Sequence, residues 1–511
     1  MTRPAARKAL SALVIGAGLG GLAAAMRLGA KGYRVTVIDK LDMPGGCGTT
    51  RVQDGHRFDL GPSIVTTPAV FRSLWGACGR DFDAEVELRQ LDPYYEIRWP
   101  GGASFIAQPS AEATRKEVSR IAPGDLAGYD RLVRDSERRY RAFVETFGTH
   151  PIHRKREMLK VLPTLAALRA DRALYTHVAR RVRDPRLRMA FSSHPLIVGC
   201  DPFRTSSMHL YLSHLTREYG VHYPIGGMGA VAKAMASVIR RQGGEFILGA
   251  EVDEIRLRGG RAEGVRLADG RILKSDIVVS NADPHHTYGH LMRHQIRGRW
   301  TRERLARLRP TMGTFLWHFG TRRTRMRWPD VGHHTIVNGR TYKGLMEEVS
   351  RGGQLPLETS FILHRPTATD PSAAPRGDDT FCAMAPAPNL DFDNPVDWKR
   401  QAETYRRKIA TMLGRIIPGF QNAVTASLVF TPEHFRDRYN YLHGAGFSLA
   451  PDFLQSGWFR PHIASEEAEG LFLVGAGTQP GAGVTGVLRS AEILAGLVPD
   501  ASDPMMGIAA E

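Results

Sequence analysis

The feature that most constrains the fold is a glycine-rich turn between a predicted strand and a predicted helix near the start of the chain. It lies within SALVIGAGLGGLAAAMRLGAKGYRVTVIDK, residues 11–40. Apolar residues 13–15 predict a short strand, and the small and apolar residues 19–29 predict a helix. Residues 35–39 predict a second strand, so this region is expected to form a β-α-β unit of a parallel sheet.

The glycines of this turn have the spacing of a dinucleotide-binding site. Gly16 permits the tight turn, Gly18 lets the backbone approach a pyrophosphate, and Gly21 lets the helix pack closely on the strand. The N-terminus of the helix then faces phosphate oxygens. Asp39 ends the second strand, where its carboxylate can accept hydrogen bonds from ribose hydroxyls. A GxGxxG sequence alone is weak evidence, but here strand, helix and terminal acid are in register with it.

Two further glycine-rich segments follow the second strand, and a third lies near the end of the chain. PGGCGTT at 44–50 and GHRFDLGPSIV at 55–65 suggest backbone wrapped around a ligand, although either alone would be interpreted as a surface loop. LFLVGAGTQPGAGVTGVLRSAEIL at 471–494 predicts a strand, a glycine-rich loop and a helix. Such a junction supplies backbone N–H groups to a cofactor, or is a second nucleotide-type turn without a ligand.

The size and composition are those of a multidomain α/β enzyme. A chain of 511 residues with 42% hydrophobic residues and 53 glycines has room for two or three domains. The four cysteines are far apart and form no CxxC pair: Cys47, Cys78, Cys200 and Cys382. This spacing favours a reducing compartment and argues against disulfides or a thiolate metal site, and we expect no metal ion.

The charge is strongly positive and unevenly distributed. The formal net charge is +17, which predicts an anionic partner surface. Residues 153–188 contain 11 Lys or Arg against 3 Asp or Glu, a net charge of +8. Because the aromatic and basic motifs of RNA-binding modules are absent, we expect no nucleic acid partner and favour an anionic membrane surface.

Two segments imitate export or membrane signals. Residues 1–26 combine a basic start with an apolar run, and residues 471–488 carry no charge. Both are dense in glycine at positions that fit cofactor-binding turns, and the second also contains a proline. We therefore expect neither a signal peptide nor a membrane-spanning helix.

With these segments and several others, the chain resembles the bacterial and fungal carotenoid desaturases, the phytoene desaturases, within the flavin amine oxidase group. The similarity runs nearly from end to end and is strongest to the desaturases of purple photosynthetic bacteria. HGAGFSLAPDFLQSGWFRPH and LFLVGAGTQPGAG are typical of carotenoid desaturases rather than of flavoenzymes in general. The other motifs that carry the resemblance are VIGAGLGGLAAAMRL, PGG.GTT, GHRFDLGPSIV, HPLIVGCDPF, GVHYPIGGMGA, VVSNAD and FTPEHFRDRYN.

This resemblance implies an α/β fold with a Rossmann-type FAD-binding domain of the glutathione-reductase type. A mixed α+β substrate domain and a helical membrane-associating segment would be inserted into it. Three parts of the chain would form the FAD-binding domain: residues 1–100, 221–290 and 461–511. Residues 101–220 would form the helical segment that associates with substrate and membrane, and residues 291–460 the substrate domain.

The resemblance also implies FAD as cofactor and 15-cis-phytoene as substrate, desaturated in several steps to neurosporene, lycopene or both. Hydride transfer from an allylic carbon to flavin N5, followed by proton loss, is the expected chemistry. The protein would lie peripherally on the cytoplasmic face of the membrane, and oxygen or a quinone would reoxidise the flavin. The residues expected to bind FAD are Gly16, Gly18, Gly21, Asp39, Gly45, Gly46, Cys47, Val252, Gly475 and Gly477.

Glu157 and Lys160 are the candidate catalytic residues. They share one face of a predicted helix at spacing i, i+3, and related enzymes place a carboxylate and a basic residue at matching positions. The alternative is a solvated ion pair on the surface of that helix.

The segment 156–191 predicts a pair of helices at a membrane surface. Apolar residues between Met158 and Leu168 give one apolar side, and five arginines lie nearby in sequence. A basic amphipathic patch of this kind can lie on anionic lipid and admit a water-insoluble substrate. The alternative is that the apolar side packs in the core and the arginines are merely solvated.

Four positions depart from the pattern of the relatives. Cys47 stands where arginine usually contacts the FAD phosphates, and Gln479 where histidine is usual. Thr485 replaces a proline and Cys200 a glycine. Loss of an arginine–phosphate contact, worth about 1.5–3 kcal/mol, predicts FAD binding weaker by roughly 10- to 100-fold. Two alternatives therefore stay open: another carotenoid flavoenzyme, such as a later-step desaturase or an isomerase, and a catalytically weak FAD- or carotenoid-binding paralogue.

Overall fold

The computed structural model describes residues 10–61, 63–145, 151–295 and 298–503. The strands, in chain order, are β1 (Ser11–Ile15), β2 (Arg34–Asp39), β3 (Thr50–Gln53), β4 (His56–Asp59), β5 (Leu88–Gln90), β6 (Tyr95–Arg98), β7 (Ser104–Ala107), β8 (His222–Pro224), β9 (Glu245–Leu248), β10 (Val252–Arg258), β11 (Arg261–Leu267), β12 (Ile272–Lys274), β13 (Ile277–Ser280), β14 (Gly313–Thr321), β15 (His334–Val337), β16 (Phe361–His364), β17 (Asp379–Ala387), β18 (Val424–Phe430) and β19 (Leu471–Leu473). The α-helices are α1 (Leu19–Ala30), α2 (Pro68–Ala77), α3 (Ala111–Ile121), α4 (Leu126–Phe143), α5 (Lys155–Ala167), α6 (Leu174–Ala179), α7 (Pro185–Ser192), α8 (Tyr211–Tyr219), α9 (Met228–Arg241), α10 (Pro284–His286), α11 (Arg302–Leu305), α12 (Tyr342–Ser350), α13 (Trp398–Leu413), α14 (Pro432–Tyr439) and α15 (Val484–Leu497).

A five-stranded parallel sheet, in the order β19-β13-β1-β2-β9, combines strands from three distant parts of the chain. Both of its faces are buried, as is usual for parallel sheets. Along β1, Ala12 and Val14 pack with helices α1, α9 and α15, whereas Leu13 and Ile15 pack with the β10-β11-β12 sheet. The chain thus has the mixed α/β fold expected from its sequence.

The turn between β1 and α1 is possible because α1 has small residues where it meets the sheet. A Cβ atom at Gly21 would lie 2.0 Å from the carbonyl oxygen of Gly16, so a larger residue does not fit there. Gly16 itself has a φ of +93°, a conformation that side-chain-bearing residues rarely adopt. The helix therefore starts directly behind the turn and lies close against the strands.

A seven-stranded sheet, in the order β18-β14-β17-β16-β15-β6-β7, forms the second large layer. Trp317 and Phe319 of β14 pack on one face against Trp398 and Tyr405 of α13, while Leu316 points to the opposite face. Because β6 and β7 form a hairpin of this sheet, the predicted domain boundary at residue 100 falls inside one sheet. The remaining domain boundaries stay a prediction.

The region from α3 to α8 is helical, apart from short connections, and packs beside these two sheets. Within the part of the chain that the structure describes, no helix has both the length and the apolar character needed to cross a membrane. The two segments that imitate membrane signals contain β1 and the start of α1, and β19 and the start of α15. Residues 1–9 of the first segment lie outside the described residues. From residue 10 onwards, most apolar residues of the two segments are buried in these strands and helices.

The connection between β16 and β17, from His364 to Asp379, is held by a buried ion pair. Arg365 donates to both carboxylate oxygens of Asp379, at 3.0 and 3.1 Å, and to the carbonyl oxygens of Trp328 and Val331. Asp379 is fully buried and Arg365 is 3% exposed. The loop is therefore anchored to β17 by hydrogen bonds that water does not reach.

Asp379→Asn is expected to destabilise the protein by about 3–5 kcal/mol, because the buried guanidinium of Arg365 loses its counter-charge. The midpoint of thermal or urea unfolding measures the effect. Asp397→Asn is the matched control, because its partner Arg400 is largely exposed and the loss there is below about 1 kcal/mol. Equal shifts of the unfolding midpoint in Asp379→Asn and Asp397→Asn would contradict the stabilising role of the buried Arg365–Asp379 ion pair.

Candidate functional site

One continuous cavity joins the turns of the parallel sheet to the inner face of the seven-stranded sheet. At one end it is lined by the turn at 18–20, the loop at 45–48 and the loop at 475–487. At the other end it is lined by side chains of β14, β16 and β17 and of the helical region. The lining is mostly apolar. This arrangement can hold a polar cofactor and a long apolar molecule side by side.

At the first end, three glycine-rich segments touch through backbone atoms. The N–H of Gly45 donates to the carbonyl oxygen of Ala17 at 2.8 Å, and a Cβ atom at Gly46 would lie 3.1 Å from the Cα of Gly18. A Cβ atom at Gly20 would lie 3.1 Å from the Cα of Gly475. Side chains at these positions would fill the cradle, so the glycines let backbone atoms form its wall. The N–H groups of Gly45 and Gly475 are themselves bonded within the protein, to Ala17 and Ser490.

Two helices begin at this end of the cavity. Helix α1 follows Gly18 and helix α15 follows Gly483, and no side chain among the described residues caps either N-terminus. Their first backbone N–H groups therefore remain available to a ligand. The positive end of a helix dipole favours phosphate or other negatively charged groups, which fits the expected FAD.

The structure brings about half of the predicted cofactor residues to the cavity wall. Gly18, Gly45, Cys47, Gly475 and Gly477 line it directly.

Three predicted cofactor glycines do not line the cavity but lie directly behind its wall, where they form or contact the lining turns. Gly16 and Gly21 form the β1–α1 turn, and Gly46 packs against Gly18. Their role is to let the backbone of the lining segments approach each other.

Asp39 ends β2 of the parallel sheet, and Val252 begins β10 shortly after the edge strand β9. The carboxylate of Asp39 accepts hydrogen bonds from the N–H groups of Ala17 (2.6 Å) and Leu41 (2.8 Å), and burial raises its pKa. The N–H of Ala250 donates to the carbonyl oxygen of Asp39, so the segment leading into Val252 is fixed beside this carboxylate. The side chain of Val252 is 5% exposed and packs in the core, which leaves its backbone for ligand contact.

Cys47 lies in the 3₁₀ turn Gly46–Gly48 and lines the cavity. Its Sγ is 3.6 Å from the hydroxyl of Tyr441. Burial raises the pKa of the thiol to about 12, so it is protonated and uncharged at neutral pH. The position therefore offers no cation to a ligand.

Gln479 joins the glycine-rich loop to the segment that precedes α5. Its Oε1 accepts from the N–H of Ile152 at 2.9 Å, and its Nε2 donates to the carbonyl oxygens of Ile152 (3.0 Å) and Gly457 (2.9 Å). The side chain is 5% exposed. At this position glutamine is a fully bonded structural link.

Thr485 and Cys200 are the other two positions that depart from the expected family pattern. The hydroxyl of Thr485 donates to the hydroxyl of Thr67 at 3.3 Å at the start of α15. Cys200 is buried, and its thiol lies 3.2 Å from the carbonyl oxygen of Val198.

Asn281 is a site residue that the sequence did not single out. It follows β13, lines the cavity, and its side chain fills the space between the two glycine-rich turns. Cβ atoms at Gly18, Gly20 and Gly475 would each come within 2.8 Å of its amide atoms. The side-chain amide thus spaces the turns that form the cofactor cradle.

Arg460 is a second residue that the sequence did not reveal as part of the site. Its guanidinium donates to the carbonyl oxygens of Ala476 (2.7 Å), Thr478 (2.9 Å), Leu449 (3.2 Å) and Gln455 (3.2 Å). Burial lowers its pKa to about 10, so the group stays positively charged at neutral pH. It shapes the 475–481 loop and places a positive charge beside the cavity.

The predicted catalytic pair does not reach the cavity. Glu157 accepts hydrogen bonds from the backbone N–H groups of His153 and Arg154, both at 2.9 Å, and so caps the start of α5. These backbone bonds lower its pKa. Lys160 is exposed, and neither residue is among the described residues that line the cavity. We therefore give Glu157 a capping role in place of a catalytic one.

Helix α5 nevertheless forms part of the cavity wall, with apolar side chains on two sides. Met158 and Leu165 line the cavity, whereas Leu159 is 65% and Leu162 36% exposed. The predicted apolar side of this segment is thus divided between the cavity and the surface. A single helix separates the apolar chamber from the outside at this place.

Cys47→Arg is expected to tighten FAD binding by roughly 10- to 100-fold, because it adds a charge-assisted contact at the phosphate end of the cradle. Titration of the flavin-free protein with FAD, followed by flavin fluorescence, measures the dissociation constant. Cys47→Met supplies a side chain of similar reach without charge and should give no such gain. An unchanged dissociation constant for Cys47→Arg would contradict this placement of the loop.

Comparisons with known proteins identify a flavoenzyme family, in agreement with the cofactor cradle described above. Residues 19–498 match the family of flavin containing amine oxidoreductases. The chain is 55% identical to a neurosporene-forming phytoene desaturase from Cereibacter sphaeroides, with 98% of each chain covered. It is 39% identical to a lycopene-forming phytoene desaturase from a Paracoccus species, with 96% of this chain and 97% of the relative covered.

Among solved structures, an oxidoreductase from Methanosarcina mazei shares the fold, with a TM-score of 0.64 at 18% identity. The match covers 94% of this chain and 99% of that protein. The resemblance seen in the sequence motifs is confirmed by these matches. The chain therefore belongs to the flavin-containing amine oxidoreductases and, within them, to the carotenoid desaturases.

Proposed function

We propose that this chain is an FAD-dependent phytoene desaturase that converts 15-cis-phytoene in several steps to neurosporene, lycopene or both. The observation that carries the proposal is the single cavity in which a glycine-lined cradle opens into an apolar chamber. A cofactor in the cradle and a hydrocarbon in the chamber would meet inside the protein. The relative at 55% identity is neurosporene-forming, and we expect neurosporene as the main product.

FAD would be held chiefly by backbone groups. Gly18, Gly45 and the N-terminus of α1 would face its pyrophosphate, and Asp39 its ribose. The loop at 475–487 and the N-terminus of α15 would contact the rest of the molecule. When bound, FAD supplies the acceptor for the hydride that leaves an allylic carbon. We assign the parallel sheet to a FAD-binding domain of the glutathione-reductase type on this basis.

The protein contributes alignment, exclusion of water and a proton acceptor. The apolar walls hold the polyene in one orientation and keep water from the carbocation that loss of hydride leaves. His194 and His209 line the cavity, and burial lowers the pKa of each to about 4, so both are neutral. A neutral imidazole can accept the proton of such a strongly acidic cation. We place the proton acceptor among these histidines in place of Glu157 and Lys160.

We further propose that the protein lies peripherally on the cytoplasmic face of the membrane and takes its substrate through α5. The helix carries Leu159 and Leu162 on its outer side together with the exposed Lys155, Arg156 and Lys160. Exposed leucines beside lysines and arginines are typical of helices that bind anionic lipid. The four unpaired cysteines suit the reducing cytoplasmic side.

A second exposed apolar site lies next to α5. Phe453 is 45% and Leu454 65% exposed, and Phe453 also lines the cavity. The 453–459 segment packs against α5 through Trp458, over which the Lys155 ammonium lies at 5.3 Å. Together the two elements form an apolar surface over the chamber, through which phytoene would enter and oxygen or a membrane quinone would reach the flavin.

Expression in cells that accumulate phytoene is expected to give coloured extracts. Each added double bond lengthens the conjugated chain, so the absorption spectrum of the pigments reports the number of steps. Flavin content of the purified protein is measured alongside. Colourless extracts from cells that contain soluble, FAD-loaded protein would contradict desaturation and favour a paralogue that only binds carotenoid.

The double variant Leu159→Gln, Leu162→Gln is expected to bind anionic vesicles more weakly by roughly tenfold or more, because two apolar side chains no longer enter the lipid. Flotation with phosphatidylglycerol vesicles measures the bound fraction, and higher salt should lower it for the unmodified protein. Met326→Gln with Leu357→Gln is the control, since these side chains are 87% and 82% exposed away from the cavity. Equal loss in both double variants would overturn α5 as the lipid-binding element.

A further inference from the structure

Three buried histidines lie together at the end of the seven-stranded sheet. His334 begins β15 and pairs in register with His364, which ends β16, while His333 directly precedes β15. The three side chains are 5%, 4% and 8% exposed for His333, His334 and His364. One ring nitrogen from each lies within 4.8 Å of the other two. Nothing in the sequence joins residues 333–334 with residue 364, because only strand pairing brings them together.

The hydrogen bonds around the cluster fix which nitrogens point inward. Nδ1 of His334 lies 3.4 Å from the carbonyl oxygen of Tyr94, and a carbonyl can only accept, so Nδ1 carries the proton. Nε2 of His334 then carries a lone pair. Nδ1 of His333 is held by the hydroxyl of Thr369 at 2.6 Å, which leaves its Nε2 for the cluster. An imidazole held in this way through its other nitrogen is the usual arrangement of a metal ligand.

The inward nitrogens have no partner within the part of the chain that the structure describes. This holds for Nε2 of His333, Nε2 of His334 and both ring nitrogens of His364. Buried polar atoms without partners are costly, at about 1–3 kcal/mol each, and are rarely left so. Burial lowers the pKa of all three histidines, to about 4 for His334, so the rings are neutral. Neutral rings are the form that binds metals.

We propose that His333, His334 and His364 form a binding site for one divalent transition-metal ion of the zinc type. Three imidazoles without a carboxylate or thiolate match the ligand preference of Zn²⁺. The ring nitrogens, which lie within 4.8 Å of one another, would need to move closer together to reach the usual Zn–N distance of about 2.0–2.1 Å. His334 and His364 also line the cavity, so the fourth ligand position opens towards it and suits a water molecule.

The surroundings supply the compensation that a buried cation needs. The ring of Tyr223 lies 4.7 Å from that of His333 and 5.7 Å from that of His364, measured between centroids. The Tyr223 hydroxyl donates to the buried carboxyl group of Asp59 at 3.1 Å, so an acidic side chain lies one residue away. The ion would tie β15 to β16 and fix the wall of the apolar chamber opposite the cradle.

Equilibrium dialysis of chelator-treated, FAD-loaded protein against buffered Zn²⁺, followed by elemental analysis, tests the site. We expect about one bound zinc per chain and a higher thermal midpoint with the metal present. His364→Ala and His333→Ala should each lower zinc affinity by more than ~100-fold, since loss of even an outer-shell partner costs 10- to 100-fold. Flavin content measured in parallel shows that the variants are folded.

His318→Ala is the matched control. This histidine is fully buried and lies in the same cross-strand row, through Cys382, but its nitrogens are outside the cluster. It should leave zinc binding unchanged. Absence of both zinc binding and a thermal shift in the unmodified protein would overturn the proposal without any variant. Loss of activity in His364→Ala, with a parent protein that binds no zinc, would overturn it as well and assign the cluster to proton transfer.

Discussion

Backbone contact between three glycine-rich segments is the constraint on which the rest of this structure depends. Gly18 meets Gly46 and Gly20 meets Gly475 so closely that a Cβ atom on Gly46 or Gly20 would lie only 3.1 Å from the facing Cα atom. The close approach positions the first turns of α1 and α15 on the same cavity. Because the contact is made by backbone, the cradle can offer N–H groups where side chains would otherwise stand.

Polar side chains at the cavity serve mainly to hold loops in place. Arg460 bonds to the carbonyls of the 475–481 loop and its neighbours, and Gln479 bonds to the backbone at Ile152 and Gly457. Hydrogen bonds of this kind are strong because water is excluded from them. The apolar chamber thus has a defined shape even though few polar groups face the hydrocarbon. Such a division suits a reaction in which the cofactor provides the reactive atom and the protein the alignment.

The sequence predicted the β1–α1–β2 unit closely, because glycine spacing and small apolar residues leave few alternatives there. It also indicated the strand, glycine-rich loop and helix at 471–494, and the cysteine at position 47 where an arginine is expected. It could not show which face of α5 meets the cavity, so Glu157 and Lys160 were assigned a role that their positions do not support. Asn281 and Arg460 lie within motifs that carried the resemblance, VVSNAD and HGAGFSLAPDFLQSGWFRPH, but those motifs did not show what the two side chains contact. The three histidines gave no local signal, since strand pairing brings them together.

The order of the parallel sheet has a consequence for how the chain is made. β1 lies between β2 and β13, and β13 needs β19 as its other neighbour, so the sheet is complete only after Leu473 has been synthesised. Pairing between such distant segments forms slowly and leaves apolar edges exposed in the meantime. Flavin can therefore be retained only after β19 has joined the sheet. Molecules cut short before Leu471 are expected to remain without cofactor and to be recognised by the cell as unfolded.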